Sequence, residues 1–182
     1  MRDSKGIYQN QIKKSELFKR ALWLVASFIL FRPFPTKLFR KWNLFVLRMF
    51  GARIGKHSVV HSSCRIQSPW NLILGKNACI GPYCVIENDA VVELKDNSVV
   101  SQYSYLCTSS HDIYHLSHDL VYSPITVGEN AWVAAGAFIG KGVTIGDGAV
   151  VAARSVVVKN VDNWTIVGGN PSMFIKKRIL DC

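Results

Sequence analysis

Residues 142–157 read GVTIGDGAVVAARSVV, a stretch in which Ile145, Val151 and Val157 stand six positions apart. The same spacing holds within three earlier sets, at 54/60/66, 74/80/86 and 94/100/106, with two extra residues between sets, and it resumes at position 127. A period of six fits neither an α-helix nor an alternating strand, and it is typical of a short strand followed by a sharp bend. The sequence therefore predicts a solenoid built from many short strands.

The repeat contains three kinds of position. All fifteen aliphatic positions hold Ile, Leu or Val, and twelve of the fifteen positions four residues later hold Ala, Ser or Cys. We expect the aliphatic side chains to fill a narrow interior and the small residues to lie where the backbone turns. Three six-residue faces would make one coil of a triangular prism, and the coils would stack. Glycine follows the aliphatic residue at six bends, where we expect positive φ angles: Gly55, Gly75, Gly81, Gly128, Gly140 and Gly146.

These motifs resemble the hexapeptide-repeat acyltransferases. The segments WNLILG at 70–75, SYLCTSSHD at 104–112 and GGNP at 168–171 are similar to the colanic-acid-type exopolysaccharide acetyltransferases of that family. The resemblance implies a mainly β fold, a left-handed parallel β-helix, whose handedness the spacing alone does not give. It divides the chain into a basic helical arm at 1–50, a β-helix at 51–171 and a C-terminal helical tail at 172–182.

The repeat is interrupted by a loop at 111–126, which reads HDIYHLSHDLVYSPIT and holds three of the five histidines. A loop that leaves a rigid solenoid is typical of a functional site. Transfer of an acetyl group to a hydroxyl needs a base, and imidazole suits that task. The resemblance assigns the base to the histidine that closes a T-x-x-H-like segment, here His111. Asp112 is a weak candidate for orienting it, and we interpret His115 and His118 as loop residues lining the acceptor site.

The resemblance also implies acetyl-CoA as the acyl donor, held outside the late coils between the subunits of a homotrimer, with no metal. Cationic side chains there would pair with the cofactor phosphates, and Lys176 and Arg178 are further candidates. A solvated helix face is an equal interpretation of 176–178, as is an exposed edge aromatic for Trp132. The residues expected at the cofactor are Trp132, Ala134, Ala135, Ala152, Ala153, Arg154, Lys159, Gly169, Asn170, Pro171 and Lys177.

The net charge of +10 belongs to the arm. Residues 1–56 hold thirteen Lys or Arg and two acids, giving +11, whereas residues 57–182 hold nine and ten, giving −1. This balance argues against a nucleic-acid-binding body, and the basic arm could bind a polyanion such as an anionic lipid surface. A helix is expected from Lys37 to Phe50, capped by Thr36. Its apolar stripe consists of Leu38, Trp42, Phe45, Val46 and Met49.

Two interpretations of residues 17–50 stay open, and both can hold. The arm would cap the open end of the prism, or it would make a peripheral membrane contact. Its uninterrupted apolar run, Ala21–Phe31, is about half of the ~20 residues that a spanning helix needs. The four cysteines within the repeat region are interpreted as packing residues of a protein in the reducing cytoplasm.

The resulting hypothesis is an O-acetyltransferase that moves an acetyl group from acetyl-CoA to a sugar hydroxyl in exopolysaccharide or capsule biosynthesis. It would act in the cytoplasm or at the inner face of the membrane, on an acceptor that a lipid carrier can hold. Three alternatives stay open. The acceptor could be a soluble sugar, an amino sugar or serine; the histidines could form a zinc site of the carbonic anhydrase type; or the prism could be a scaffold without catalysis.

Overall fold

A computed structural model describes residues 12–180; residues 1–11, at the start of the arm, and residues 181–182, including Cys182, lie outside the described part. The arm consists of α1 (Lys14–Ala26), a π-helical turn (Ser27–Phe31) and α2 (Thr36–Met49). The body is the expected left-handed parallel β-helix. Its nineteen short strands form three walls and one hairpin.

The three walls are stacks of strands that follow one another around each coil. The first wall contains β1 (Arg53–Ile54), β4 (Leu72–Leu74), β7 (Val92–Leu94), β12 (Ile125–Val127) and β15 (Thr144–Ile145). The second contains β2 (Val59–Val60), β5 (Cys79–Ile80), β8 (Val99–Val100), β13 (Trp132–Val133), β16 (Val150–Val151), β18 (Thr165–Gly168) and β19 (Met173–Lys177). The third contains β3 (Arg65–Ile66), β6 (Val85–Glu87), β9 (Tyr105–Cys107), β14 (Phe138–Ile139) and β17 (Val156–Val157). The hairpin is formed by β10 (Ser109–His111) and β11 (Leu120–Tyr122).

The aliphatic series lies in register inside the prism, as predicted. On the first wall Leu74 pairs with Leu94, which pairs with Val127, which pairs with Ile145. All fifteen positions except Ile54 are buried. Ile54 lies in the first coil and is half-buried, so the interior there depends on the arm to cover it.

The arm covers that end of the prism through α2. The buried face of α2 includes Asn43, Leu44, Val46 and Leu47, and the helix packs against β1 and β2. Helix α1 is tied to the body by the Trp23 indole, whose Nε1 donates to the Ile66 carbonyl at 2.6 Å. The capping interpretation of the arm therefore agrees with the packing.

Two details of α2 differ from the prediction. Thr36 is the first helical residue rather than the cap, and its Oγ1 accepts a hydrogen bond from the Ser62 backbone N–H at 2.8 Å. Of the predicted apolar stripe, Val46 alone is buried, and the other four side chains face outward: Leu38, Trp42, Phe45 and Met49. The buried face is rotated from the predicted stripe, because Leu44, Leu47 and the hydrogen-bonded Asn43 complete it.

The prediction of a C-terminal helix is wrong. Residues Met173–Lys177 form β19, which pairs antiparallel with β18 and covers what would otherwise be the unpaired last strand of the second wall. The pairing runs from Gly168↔Met173 to Thr165↔Lys177. The free edge of β18 offers backbone N–H and C=O groups with which the backbone of the tail can form hydrogen bonds. The free energy gained from these bonds outweighs the weak helical preference of a short segment.

The explanation given for the repeat glycines is also wrong. None of the six has a positive φ; at five of them, all but Gly140, the next coil comes too close for a side chain. A Cβ on Gly75 would lie 2.3 Å from Asp96 Oδ1 and 2.6 Å from the Asp96 nitrogen. The positive φ angles fall three residues after the aliphatic position, for example at Asn77, Asn97 and Asn130. Asparagine tolerates that left-handed conformation better than most residues.

The four described cysteines are free thiols inside or beside the walls. Cys64 and Cys84 are buried, and their sulfurs donate to the Gly81 and Ser101 carbonyls at 3.0 Å. Hydrogen bonding with Cys84 raises the pKa of the Cys64 thiol, and burial raises it further. These contacts fit the packing role predicted for them.

We expect Gly75→Ala to destabilise the protein by about 1–3 kcal/mol, because the new Cβ overlaps the backbone and carboxylate of the next coil. The matched control is Gly140→Ala, whose Cβ would meet its nearest neighbour, the Val157 carbonyl oxygen, at 3.4 Å. Thermal unfolding followed by circular dichroism should show a Tm several degrees lower for the first variant and little change for the second. Equal Tm values for the two variants would contradict this account of the glycines.

Candidate functional site

The predicted loop is a hairpin anchored at the corner between the third and first walls, here called the third corner. Strands β10 and β11 pair antiparallel, with Ser109 opposite Tyr122 and His111 opposite Leu120. The buried Thr108 fixes its base: its Oγ1 donates to the Glu87 carbonyl at 3.0 Å and accepts from the Ala90 N–H at 3.1 Å. The hairpin thus begins on a residue locked to the coil beneath it.

The imidazole of His111 is exposed and oriented by the opposite end of the hairpin loop. Its Nδ1 lies 2.6 Å from the backbone carbonyl oxygen of His118. A carbonyl oxygen only accepts, so Nδ1 carries the hydrogen, and the lone pair of the neutral ring lies on Nε2. The geometry therefore gives His111 a defined basic nitrogen at Nε2. His118 makes this contact through its backbone carbonyl and has a φ of 44°. Its imidazole takes no part in the contact, so the residue type gave no indication of this role.

The Asp112 carboxylate holds the turn of the hairpin. One oxygen lies 2.6 Å from Nδ1 of His115, and the other accepts the Tyr114 backbone N–H at 2.9 Å. The Asp112 backbone N–H donates to the Asp119 carbonyl at 2.8 Å. These bonds shape the loop that presents the His118 carbonyl, so they support His111 indirectly.

A column of small residues lies along the edge of the second wall, next to the corner between the second and third walls, here called the second corner. The register Val133↔Val151↔Val167 places Ala134, Ala152 and Gly168 one above another. The residues that follow these three in the chain are also small: Ala135, Ala153 and Gly169. A Cβ on Gly168 would lie 3.0 Å from the Ala152 Cβ, so a chain lying on this column could approach the backbone closely.

The structure gathers most of the predicted cofactor residues around this column. Trp132 stands beside it on the second wall, 46% exposed, and its Nε1 donates to Ser101 Oγ at 2.9 Å. Arg154, which comes directly after Ala153 in the chain, is exposed at the second corner and has a φ of 57°. The turn that closes the prism, with Asn170 and Pro171, reaches the same corner: the Val156 N–H donates to the Gly169 carbonyl at 2.9 Å.

Other predicted residues lie elsewhere. Lys159 follows β17 and stands at the third corner, on the same corner as the His111 hairpin. Lys177 belongs to β19, and its Nζ donates to Thr165 Oγ1 at 3.0 Å. Lys176 is its exposed neighbour, opposite Ile166. The guanidinium of Arg178 donates to the Gly148 carbonyl at 2.9 Å and to the Asn130 carbonyl at 3.1 Å, and these bonds hold the tail against the prism.

Sequence reasoning did not identify a cavity of about 790 Å³ between α1 and the third wall. Its lining combines cations, a carboxylate, a phenol and apolar side chains: Arg20, Arg65, Glu87, Tyr105, Leu24 and Phe28. The Tyr105 hydroxyl donates to the Glu87 carboxylate, and burial followed by this bond raises the pKa of Tyr105. A sequence signal existed: Glu87 and Tyr105 each stand next to a repeat aliphatic residue, so both are expected to face outward on the third wall.

Contacts through Glu87, which lines the cavity, lead to the base of the hairpin. The Cys107 thiol donates to the Ser109 carbonyl at 3.2 Å and lies 3.6 Å from the Glu87 carboxylate. A salt bridge between Arg20 and Asp89, at 2.7 Å, fixes α1 over this region. Polar and apolar groups in one concave site are typical of a small-molecule pocket.

Residues 12–180 contain no group of three or more His, Cys, Asp or Glu side chains placed to hold a metal ion. The donor set required by the zinc alternative is therefore not assembled in the described part of the chain. Within the same residues, no helix combines the length and apolar character needed to cross a lipid bilayer.

Comparison with known proteins gives a consistent result. Residues 124–159 match the family model "Bacterial transferase hexapeptide (six repeats)". The chain is 40% identical over 161 residues to the putative colanic acid biosynthesis acetyltransferase WcaF of Escherichia coli, covering 88% of each chain.

Solved structures show the same fold. A maltose O-acetyltransferase from Clostridium difficile is similar with a TM-score of 0.78 and 25% identity, over 95% of this chain and 92% of that one. A hexapeptide-repeat acetyltransferase from Vibrio cholerae, in complex with acetyl coenzyme A, is similar with a TM-score of 0.83 and 21% identity, over 95% and 94%.

Proposed function

Because the chain belongs to the hexapeptide-repeat acetyltransferases, we propose that it transfers an acetyl group from acetyl-CoA to a hydroxyl of a saccharide, with His111 as the general base. The observation that carries the proposal is the 2.6 Å contact between His111 Nδ1 and the His118 carbonyl, which leaves Nε2 as the basic nitrogen. The similarity to an enzyme of colanic acid biosynthesis supports an acceptor in exopolysaccharide or capsule assembly.

The reaction needs few groups from the protein. As the acceptor oxygen attacks the thioester carbonyl, its proton passes to His111 Nε2, and a C–O bond forms. When the C–S bond breaks, the same nitrogen returns the proton to the leaving sulfur, giving the ester and free coenzyme A. The hydrogen bond to the His118 carbonyl keeps the ring oriented and stabilises the imidazolium that forms between these steps.

Replacing His111 tests the base directly. We expect His111→Ala to lower kcat by about 10²–10⁴-fold, the usual contribution of a positioned general base, with little change in acetyl-CoA binding. Thiol release with a panel of saccharide acceptors measures kcat, and calorimetry measures binding. The matched control, His57→Asn, changes an exposed histidine of the first coil whose left-handed backbone suits asparagine, and it should keep kcat within a few-fold of the parent. A His111→Ala enzyme with nearly full turnover would sink the assignment.

The donor site we propose lies between two copies of the chain. His111 and Lys159 stand at the third corner of the prism, whereas the column Ala134, Ala152 and Gly168 runs beside the second corner. A single prism presents these groups on different edges, and a neighbouring copy would bring one edge against the other. A cyclic homotrimer repeats that contact three times and closes. Arg154 from one copy and Lys159 from the next would then face the cofactor phosphates.

Mixed oligomers distinguish a shared site from one contained in a single chain. Ala152→Leu should fill the small-residue column and block acetyl-CoA, while His111→Ala removes the base. Each variant alone should be nearly inactive. Co-expressed in equal amounts, they should recover about a quarter of the parental activity, because about one interface in four would pair an intact base with an intact groove. Co-expression without any recovery would contradict the shared site.

We further propose that the enzyme works in the cytoplasm at the inner face of the membrane, docked through its arm. Residues 12–56 hold eleven Lys or Arg and one acid, a net charge of +10. Large apolar side chains are exposed along the arm: Phe18, Leu22 and Val25 on α1, Ile29 on the π-helical turn, and Leu38, Trp42, Phe45 and Met49 on α2. Helix α2 is joined to the π-helical turn where Trp42 Nε1 donates to the Leu30 carbonyl at 2.8 Å. An apolar surface bordered by cations suits an anionic bilayer and a lipid-linked acceptor.

Vesicle sedimentation tests this docking without removing the cap of the prism. Full-length protein should pellet with vesicles containing phosphatidylglycerol, less with pure phosphatidylcholine, and less as salt rises. The double variant Leu38→Gln and Phe45→Gln should reduce pelleting several-fold, since both side chains are exposed. Ile179→Gln, which changes an equally exposed residue of the tail, is the control. Unchanged pelleting of the arm variant would exclude docking through α2.

A further inference from the structure

Two tyrosines form an exposed stacked pair at the second corner of the prism. The ring centroids of Tyr83 and Tyr103 are 5.2 Å apart and the rings are inclined by 8°. Tyr83 is 57% exposed and Tyr103 is 64% exposed. Since the two residues lie on successive coils, the rings stack along the axis of the prism.

Both tyrosines stand in an unfavourable backbone conformation. Their φ angles are +59° and +62°, in the left-handed region that bulky side chains rarely adopt. Equivalent positions at the corner between the first and second walls hold Asn77, Asn97 and Asn130, which adopt this conformation more easily. The fold therefore does not require tyrosine here, and strain of this kind is characteristic of functional sites.

The position of the pair connects two features described above. Val85 and Tyr105, two residues further along the chain, line the 790 Å³ cavity on the third wall. Toward the later coils, Val100 pairs with Val133, and Val133 pairs with Val151. The residues three positions after these valines are Tyr103, Gly136 and Arg154, which therefore lie in one column at the second corner. The pair thus stands between the cavity and the small-residue column.

The next position above Tyr103 carries no side chain. Gly136 has φ +70°, and the Cγ of Arg154 lies 3.4 Å from the point that a Cβ at Gly136 would occupy. The coil directly above Tyr103 therefore has no side chain at this position of the column, and the next residue of the column is the cation Arg154. An aromatic face carries partial negative charge and attracts the weakly positive C–H groups on one side of a pyranose ring.

We propose that Tyr83 and Tyr103 form a stacking platform for a sugar ring of the acceptor, next to the ring that is acetylated. The inference rests on the proposed function, because it assigns a second subsite to the same acceptor. The phenol hydroxyls at the edges of the platform can exchange hydrogen bonds with sugar hydroxyls. The platform favours acceptors of two or more sugar units, since one unit would occupy the reacting position alone.

The test uses variants that the backbone accepts. Tyr83→Asn combined with Tyr103→Asn removes both rings and suits the left-handed conformation, so Tm should hold or rise. Tyr83→Phe combined with Tyr103→Phe keeps the rings. Saturation-transfer NMR with maltose and with methyl glucoside, on the full chain with acetyl-CoA absent, measures sugar binding without turnover. Light scattering measures the oligomeric state.

We expect the maltose signal to fall about tenfold in the Asn variant and to persist in the Phe variant, with methyl glucoside little affected in either. An unchanged maltose signal in the Asn variant, no maltose signal in the parent, or dissociation of the oligomer in the Asn variant would each overturn the platform. Thioester turnover separates this result from the proposed function. An active parent without platform binding refutes the platform alone, whereas platform binding by a parent that consumes no thioester refutes the transfer reaction alone.

Discussion

The close stacking of one coil on the next is the constraint on which the whole molecule depends. Neighbouring parallel strands lie about 4.8 Å apart, so each position of a coil meets the same position of the coils above and below. Inside, this puts Leu74, Leu94, Val127 and Ile145 in contact along one line. At the corners it leaves no room for a side chain at Gly75 or Gly146, where the backbone and side chain of the next coil fill the space.

The same stacking arranges the chemistry of the surface. A residue at a corner repeats at that corner in each coil, so columns of like character arise, such as the alanines and Gly168 beside the second corner. The hairpin breaks the repeat once, at the third corner, and Thr108 ties its base to the coil below. Rigid columns and one anchored hairpin place the proposed base and the proposed donor groove on separate edges. That separation is why we assign the complete site to an assembly of copies.

Much of this arrangement could be predicted from the sequence because the six-residue period is long and regular. The interior positions, the break after Ser110 and the gathering of Trp132, Ala134 and Ala152 on one surface all follow from counting along that period. His111 was identified by resemblance, and its orientation was not predictable, because a backbone carbonyl seven residues later supplies it. Composition and spacing do not show which carbonyls a loop turns inward.

Other features depended on tertiary contacts that local patterns do not encode. The outward-facing stripe of α2 looked like the buried face, but the position of β1 and β2 selected Asn43, Leu44 and Leu47 instead. The tail looked helical in isolation and became β19 because β18 needed a partner. The cavity under α1 arises from the packing of a helix on a wall, with Arg20 held by Asp89, and such long-range contacts leave little trace in a single sequence.

The tail strand has a consequence for how these molecules behave in a crowded solution. A prism without β19 would offer the four residues of β18 as an unpaired strand edge to any similar surface, and such open edges promote fibre growth. β19 runs in the opposite direction to the strands beneath it and ends in Lys176 and Lys177, so a second prism finds neither a parallel template nor a neutral edge. With α2 closing the opposite end, the column is kept at a finite length.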